Sequence, residues 1–149
     1  MTDTARLLLT AAVLSGSAVL VFAWRLIRTD PSQPDRVVGE LRLAQLAAVI
    51  LAVSGGLSVG LAVAADGVPV RAFDTSVGIA CAAVAGLVLT REPRDGLLLA
   101  AAGLMVHALT DLAHRPGWLP PGLAPAWLLV GSAVYDVAIA TACYWARRR

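Results

Sequence analysis

Long apolar runs alternate along the chain with short segments that carry most of its charges. A membrane-spanning helix needs about 20 mostly apolar residues, within a range of about 17–25. Runs near that length predict five spans, at about residues 7–27, 43–65, 75–90, 96–114 and 126–146. The pattern therefore predicts an all-α bundle of five transmembrane helices that forms one domain over residues 1–149.

Two other interpretations of these runs, membrane β-strands and a cleaved secretory signal, are not supported by the sequence. A membrane β-strand alternates apolar and polar positions over about ten residues, whereas these runs are unbroken and rich in Leu, Ala and Val. Only helices then satisfy every backbone polar group within the bilayer. The first run exceeds the core of about 7–15 residues of a secretory signal, and no small-residue cleavage site follows it, so we expect a retained helix.

Composition supports membrane residence. Residues of the AVILMFWYC set make up 58% of the chain and charged residues 15%, against about 45–50% and 25% in soluble domains. These values exclude a soluble enzyme, a disordered tail and a nucleic-acid-binding module. We therefore expect a multi-pass protein of the cell membrane with lipids as its partners. The two cysteines, Cys81 and Cys143, lie inside apolar runs and carry no haem or redox motif, so we expect no cofactor.

Arginine placement predicts the orientation, because cytoplasmic loops are enriched in basic residues. All twelve basic residues are arginine. The first connection, the third connection and the C-terminus together hold most of them, and few lie on the other side. We therefore expect the N-terminus outside and the C-terminus inside. Trp24 and Trp145 fall at the predicted inner boundary, and Trp118 and Trp127 at the outer one, as expected for interfacial tryptophans.

Small residues recur at helical spacing in two of the predicted spans. Gly56 and Gly60 lie four residues apart in the second span, and Gly78, Ala82 and Gly86 repeat every four residues in the third. Such spacing lets helix backbones approach closely. We expect these residues to pack within the bundle, with the seam of a homodimer as the alternative.

The fourth and fifth spans carry ionisable groups predicted to lie deep in the membrane. His107, Asp111 and His114 follow one another at i, i+4 and i+7, which places them on one helix face. At a rise of about 1.5 Å per residue, His107 and Asp136 reach a similar depth, so adjacent helices can bring them level. A charge at that depth costs about 2.5–3.5 kcal/mol, and intramembrane ionisable groups are therefore functional candidates.

These groups predict a catalytic centre of His107, Asp111 and Asp136, with His107 as base and a buried carboxyl as acid. The expected site is a hollow that opens outward and takes a hydrophobic, isoprenoid- or lipid-like substrate for isomerisation, cyclisation or epoxide opening. Further residues are expected to contact the substrate: His114, Ser132, Tyr135, Trp118 and Asp74.

Three alternatives stay open. The His/Asp pair can be a structural lock between two helices in a non-catalytic membrane subunit or binding protein. The histidines and carboxylates can bind zinc, although His107 and His114 lie two turns apart and no metal is our first expectation. Proton translocation uses chains of such residues, but the inner half of the bundle offers only Gln45 and Ser54.

The last third of the chain combines a His107-x3-Asp111-x2-His114 helix, a proline-rich loop and a second intramembrane acid after Tyr135. In this layout it resembles uncharacterised families of small bacterial multi-pass membrane proteins. The resemblance implies that His107, Asp111, His114 and Asp136 form one unit, and it implies no activity.

Overall fold

A computed structural model describes residues 3–64, 68–114, 118–119 and 124–149, and shows five helices in these ranges. Each helix is long and apolar enough to cross a membrane. The prediction of an all-α, five-helix chain is thereby confirmed, while membrane insertion and the orientation of the termini stay predictions. The helices in chain order are α1 (Asp3–Ile27), α2 (Pro34–Ala64), α3 (Val68–Thr90), α4 (Pro93–Ala113) and α5 (Ala126–Arg148).

Helix α2 begins nine residues before the second predicted span. The prediction took the charges before Leu43 as a loop, but Pro34 begins the helix, and Arg36 and Glu40 lie buried within its first turns. Proline suits the first turn because that turn needs no donor from it. Pro93 begins α4 in the same way. The charged residues before Leu43 therefore belong to the first turns of α2 rather than to the loop that precedes it.

The short α1–α2 connection is held by a side-chain cap. The backbone N–H and the hydroxyl of Ser32 both donate to Asp30 Oδ1, at 2.9 and 2.8 Å. These two hydrogen bonds stabilise the carboxylate and lower the pKa of Asp30 below its ordinary value. The turn thereby returns the chain directly into α2.

Helix α2 is the centre of the bundle, because it contacts each of the other four helices. The most extensive contacts join α2 to α3 and α4 to α5. The core is built of small and branched apolar side chains, and Leu43, Leu51, Leu97, Leu104 and Ile139 are fully buried in it. Many large apolar side chains point outward instead, including Leu57, Val106 and Val134. An apolar exterior of this extent is what a lipid-facing bundle requires.

A close approach of α2 and α3 uses Gly78, one of the expected residues, together with Gly55, which was not expected. A Cβ atom added to Gly78 would lie 2.5 Å from the carbonyl oxygen of Gly55, so α2 and α3 meet backbone to backbone there. At Gly56, Gly60 and Gly86 an added Cβ would find no neighbour within 4 Å among the described residues. The expectation that these three pack within the bundle is wrong, because they lie on the outward side of their helices. The homodimer seam stays a prediction.

Candidate functional site

Helices α4 and α5 bring two buried ionisable groups, His107 and Asp136, into direct contact. His107 Nδ1 lies 2.6 Å from Asp136 Oδ2. Both side chains are almost completely buried, with exposed fractions of 2% and 0%. The pairing expected from equal depth in adjacent helices is therefore present in the structure. A hydrogen bond this short is typical of one in which a partner carries charge.

The other ring nitrogen of His107 faces a serine on α2. His107 Nε2 lies 3.1 Å from Ser58 Oγ, and the Ser58 hydroxyl is also 3.2 Å from the carbonyl oxygen of Ser54. Three helices thus contribute to one hydrogen-bonded chain. Ser58 and His107 each lie six residues before the end of their helices, about 9 Å along the axis. That shared depth is the sequence signal that could have found Ser58.

This chain has two proton arrangements that satisfy its members. In the first, Asp136 is ionised and accepts the Nδ1 proton, so that Nε2 accepts a hydrogen bond from the Ser58 hydroxyl. In the second, Asp136 is protonated and donates to Nδ1, His107 Nε2 donates to Ser58, and Ser58 donates to the carbonyl of Ser54. The second arrangement holds one proton more than the first, so passing between them requires a proton from outside the chain of hydrogen bonds. The geometry therefore suits proton transfer through His107.

Asp111 completes the cluster. Its Oδ2 lies 3.8 Å from His107 Nδ1, and Ser132 of α5 lies beside its carboxylate. Two buried carboxylate oxygens, Asp111 Oδ2 and Asp136 Oδ1, have no hydrogen-bond partner in the described part of the chain. We name Ser58, His107, Asp111 and Asp136 the His107 cluster. The two unpartnered oxygens of this cluster can therefore accept further hydrogen bonds.

The donor set of the His107 cluster is chemically suited to a metal ion. One ligand atom from each of His107, Asp111 and Asp136 lies within 4.8 Å of the other two. An imidazole with two carboxylates is a donor set that zinc accepts. His114, which the sequence grouped with these ligands, is not a member of this set.

His114 forms a separate pair with α3. Its Nε2 lies 3.2 Å from Asp74 Oδ1, while its Nδ1 donates to the carbonyl of Thr110 at 2.9 Å. Nε2 is within ion-pair distance of Asp74 but does not meet the geometry of a directed hydrogen bond. Asp74 and His114 therefore fasten the end of α4 to α3.

The remaining predicted substrate contacts are dispersed. Ser132 lies beside Asp111, but the Tyr135 hydroxyl lies 3.3 Å from the Ser15 hydroxyl of α1. Trp118 is 84% exposed. The structure therefore does not bring Tyr135 or Trp118 to the His107 cluster. Most of the proline-rich loop lies outside the described residues.

A second polar cluster, which the sequence analysis missed, lies at the opposite end of α2 and α4. Arg36 is fully buried and donates to Glu40 Oε1 at 2.8 Å. It also donates to the carbonyl oxygens of Leu26 and Ala146, in the last turns of α1 and α5. Arg94 donates to Glu40 Oε2 at 3.2 Å. We name Arg36, Glu40 and Arg94 the Arg36 cluster.

The two clusters are separated by an apolar layer. Glu40 and Ser54 lie about 21 Å apart along the axis of α2. The buried residues of this stretch are apolar, as are those between Arg94 and His107 on α4. Gln45, a candidate for a proton path, is exposed on the outside of α2. The described residues thus argue against a continuous polar route through the bundle.

Two cavities lie away from the His107 cluster. One, of ≈ 360 Å³, lies between α1 and α2 near Arg25 and Arg42. The other, of ≈ 330 Å³, is an apolar groove along α4 and α5 that includes Met105 and Ala140. Ala140 lies one helical turn beyond Asp136, but none of the residues that line the groove belongs to the His107 cluster.

Comparison of the chain with models of protein families, with curated proteins and with solved structures gives no match. The resemblance of the last third of the chain therefore stays a prediction, and the site has to be interpreted from its own geometry.

Proposed function

We propose that the protein is a small membrane enzyme that uses His107, Asp111 and Asp136 for acid–base chemistry on a hydrophobic, isoprenoid- or lipid-like substrate. The observation that supports it best is the arrangement of His107, which is held by Asp136 at Nδ1 and by Ser58 at Nε2. Isomerisation, cyclisation and epoxide opening all need a proton donor and a proton acceptor in one site, which this cluster supplies.

The energetic cost of the cluster favours chemistry over a structural lock. A charged group at a helix centre costs about 2.5–3.5 kcal/mol, whereas an interhelical polar contact in a membrane contributes about 0.6 kcal/mol on average. The fold buries two acids and a histidine together. A lock between α4 and α5 needs only one hydrogen-bonded pair, and a second buried carboxylate beside the same imidazole, Asp111, adds cost to it.

Each residue has a distinct role in this proposal. Asp136 fixes the orientation and tautomer of His107, as a carboxylate does in other acid–base centres. His107 accepts and returns the proton at Nε2. Asp111, with an oxygen free of protein partners among the described residues, supplies the second acid–base group. The apolar groove along α4 and α5 gives a lipid chain a place near the cluster.

The test is lipid conversion by membranes that contain the protein. Total lipids from cells that express the wild type, Asp136→Asn or His107→Gln are compared by mass spectrometry. We expect a product that accumulates with the wild type and falls by about 10²–10⁴-fold in either variant, the range of acid–base contributions. His114→Gln, in the separate pair with Asp74, serves as the matched control and retains most of the conversion.

Folding is monitored alongside conversion, by size-exclusion chromatography and thermal unfolding in detergent. Well-folded variants with undiminished conversion would contradict acid–base catalysis at His107. Failure of both variants to fold would make the pair a structural lock, and the protein a non-catalytic membrane subunit or binding protein.

Divalent-metal binding is the second candidate function, because two unpartnered carboxylate oxygens lie beside a buried imidazole. Zinc would need each ligand atom about 2.0–2.2 Å from the ion, so His107 and Asp136 would exchange their direct hydrogen bond for the metal. Elemental analysis of the purified protein tests this: one zinc per chain that is lost in Asp111→Asn supports it, and metal-free active protein excludes it.

A further inference from the structure

Ser58 is the one member of the His107 cluster that the acid–base proposal leaves without a task. Its hydroxyl lies 3.1 Å from His107 Nε2, while Asp136 occupies Nδ1. This order, with hydroxyl at one ring nitrogen and carboxylate at the other, is the order that activates a serine as nucleophile. The ionised form of Asp136 selects the tautomer in which Nε2 can take the hydroxyl proton.

Exposure differs along this chain of hydrogen bonds. His107 and Asp136 are buried, but Ser58 is only half-buried. Its neighbour Leu57 is 58% exposed on the apolar exterior of α2. His107 and Asp136 are thus enclosed, whereas Ser58 is the least buried residue of the three. A nucleophile needs access to its substrate, whereas its base needs protection by burial.

A second serine shows that the contact with histidine is specific. Ser76 on α3 donates to the carbonyl of Ala72, four residues before it, at 2.7 Å. Ser58 makes the same kind of contact with Ser54. Only Ser58 of this pair also faces an imidazole. The ordinary bond of a helical serine to its own backbone therefore does not explain the position of Ser58.

We propose that Ser58 is the nucleophile of this centre, and that the protein transfers an acyl group from a lipid ester to a hydroxyl acceptor. The inference rests on the proposed acid–base function of His107 and goes beyond it, because acyl transfer is not one of the three reactions named above. The geometry that carries it is the Ser58–His107–Asp136 sequence of hydrogen bonds.

The reaction has two balanced halves. Ser58 Oγ attacks the ester carbonyl carbon and passes its proton to His107 Nε2; the ester C–O bond then breaks, and His107 returns the proton to the leaving alcohol. An acyl ester of Ser58 remains. A lipid hydroxyl or water then gives its proton to Nε2 and attacks the acyl carbon, the bond to Oγ breaks, and the proton returns to Oγ. No oxidant or reductant is involved.

An alkyl fluorophosphonate tests the nucleophile without knowledge of the substrate, because it forms a stable phosphonyl ester with an activated serine and releases fluoride. The full chain in membranes is treated with the probe, and the modified residue is identified by peptide mass spectrometry. We expect labelling at Ser58, no labelling at the more exposed Ser76, and a rate at least about 100-fold lower in Asp136→Asn and His107→Gln.

Each other result overturns the inference. Wild-type protein that is not labelled at Ser58 contradicts it directly, whatever the behaviour of the variants. Labelling of Ser58 that is undiminished in folded His107→Gln shows a hydroxyl without activation. Lipid conversion that depends on His107 but survives Ser58→Ala removes Ser58 as nucleophile and leaves the acid–base function standing.

Discussion

At the scale of single residues, Arg36 shows how a guanidinium is accommodated inside an apolar bundle. Its Nε donates to Glu40, and its two terminal nitrogens donate to the carbonyls of Leu26 and Ala146. These carbonyls lie in the last turns of α1 and α5, where backbone acceptors lack helical partners and the helix dipole is negative. One side chain thus neutralises the Glu40 carboxylate and donates hydrogen bonds at the C-terminal ends of two helices.

Replacing Arg36 is therefore expected to destabilise the fold strongly. Arg36→Met removes the donor to Glu40 Oε1 and a donor to the carbonyls of Leu26 and Ala146, and loss of one partner from a buried pair costs about 3–5 kcal/mol. The measurement is the denaturation midpoint in mixed detergent micelles.

Arg94→Met is the matched control. The Arg94 side chain is 56% exposed and shares Glu40 with Arg36, so its loss is expected to cost about 1 kcal/mol or less. Equal losses for the two variants would show that Arg36 is not the centre of the cluster.

Much of the His107 cluster could be predicted from residues alone, because depth along a helix follows from counting. His107 and Asp136 were expected to meet on that basis, and they do. The sequence context of Ser58 does not single it out, since a helical serine usually satisfies itself on its own backbone; only its depth, equal to that of His107, links it to the cluster. Arg36 and Glu40 were placed in a loop because a lone charge avoids lipid, and only the fold reveals that each has a buried partner.

At the scale of helices, the α2–α3 contact depends on the absence of side chains. Gly55 and Gly78 face each other, and Cys81 packs beside Gly55. The regular glycine spacing in the sequence pointed to Gly56 and Gly60 instead, because spacing fixes a shared face but not the direction in which that face points. The neighbouring helix decides which face is buried.

A pair of glycine-to-alanine changes tests this contact. Gly78→Ala places a methyl group 2.5 Å from the Gly55 carbonyl oxygen, so the helices must separate, at a cost of about 1–3 kcal/mol. Gly60→Ala meets no described neighbour and is expected to be neutral or to stabilise the helix by up to about 1 kcal/mol. Thermal unfolding in detergent measures both; a more damaging Gly60→Ala would place the critical seam on the outer face.

At the scale of the whole molecule, the two clusters lie at opposite ends of the bundle with the apolar layer between them. The Arg36 cluster joins the ends of several helices through hydrogen bonds and ion pairs. The His107 cluster has, in addition to its hydrogen bonds, two carboxylate oxygens without a partner among the described residues and a half-buried serine. We expect the His107 cluster to face the outside of the cell, since arginines concentrate at the other end.

Two cysteine variants test this orientation. Gln33→Cys lies in the exposed α1–α2 connection, and Trp118→Cys replaces an exposed side chain after α4. The native Cys81 and Cys143 are buried. With a membrane-impermeant maleimide, we expect labelling at position 118 in intact cells and at position 33 only after permeabilisation. The reverse result would invert the predicted topology.

Helix α5 supplies Asp136 to one cluster and the Ala146 carbonyl to the other, and it is the last of the five helices to leave the ribosome. Until α5 is in place, His107 lacks its carboxylate partner and Arg36 lacks one of its acceptors. A chain that stops before residue 126 therefore leaves a polar group without its partner at both clusters, so neither cluster can form from the first four helices alone.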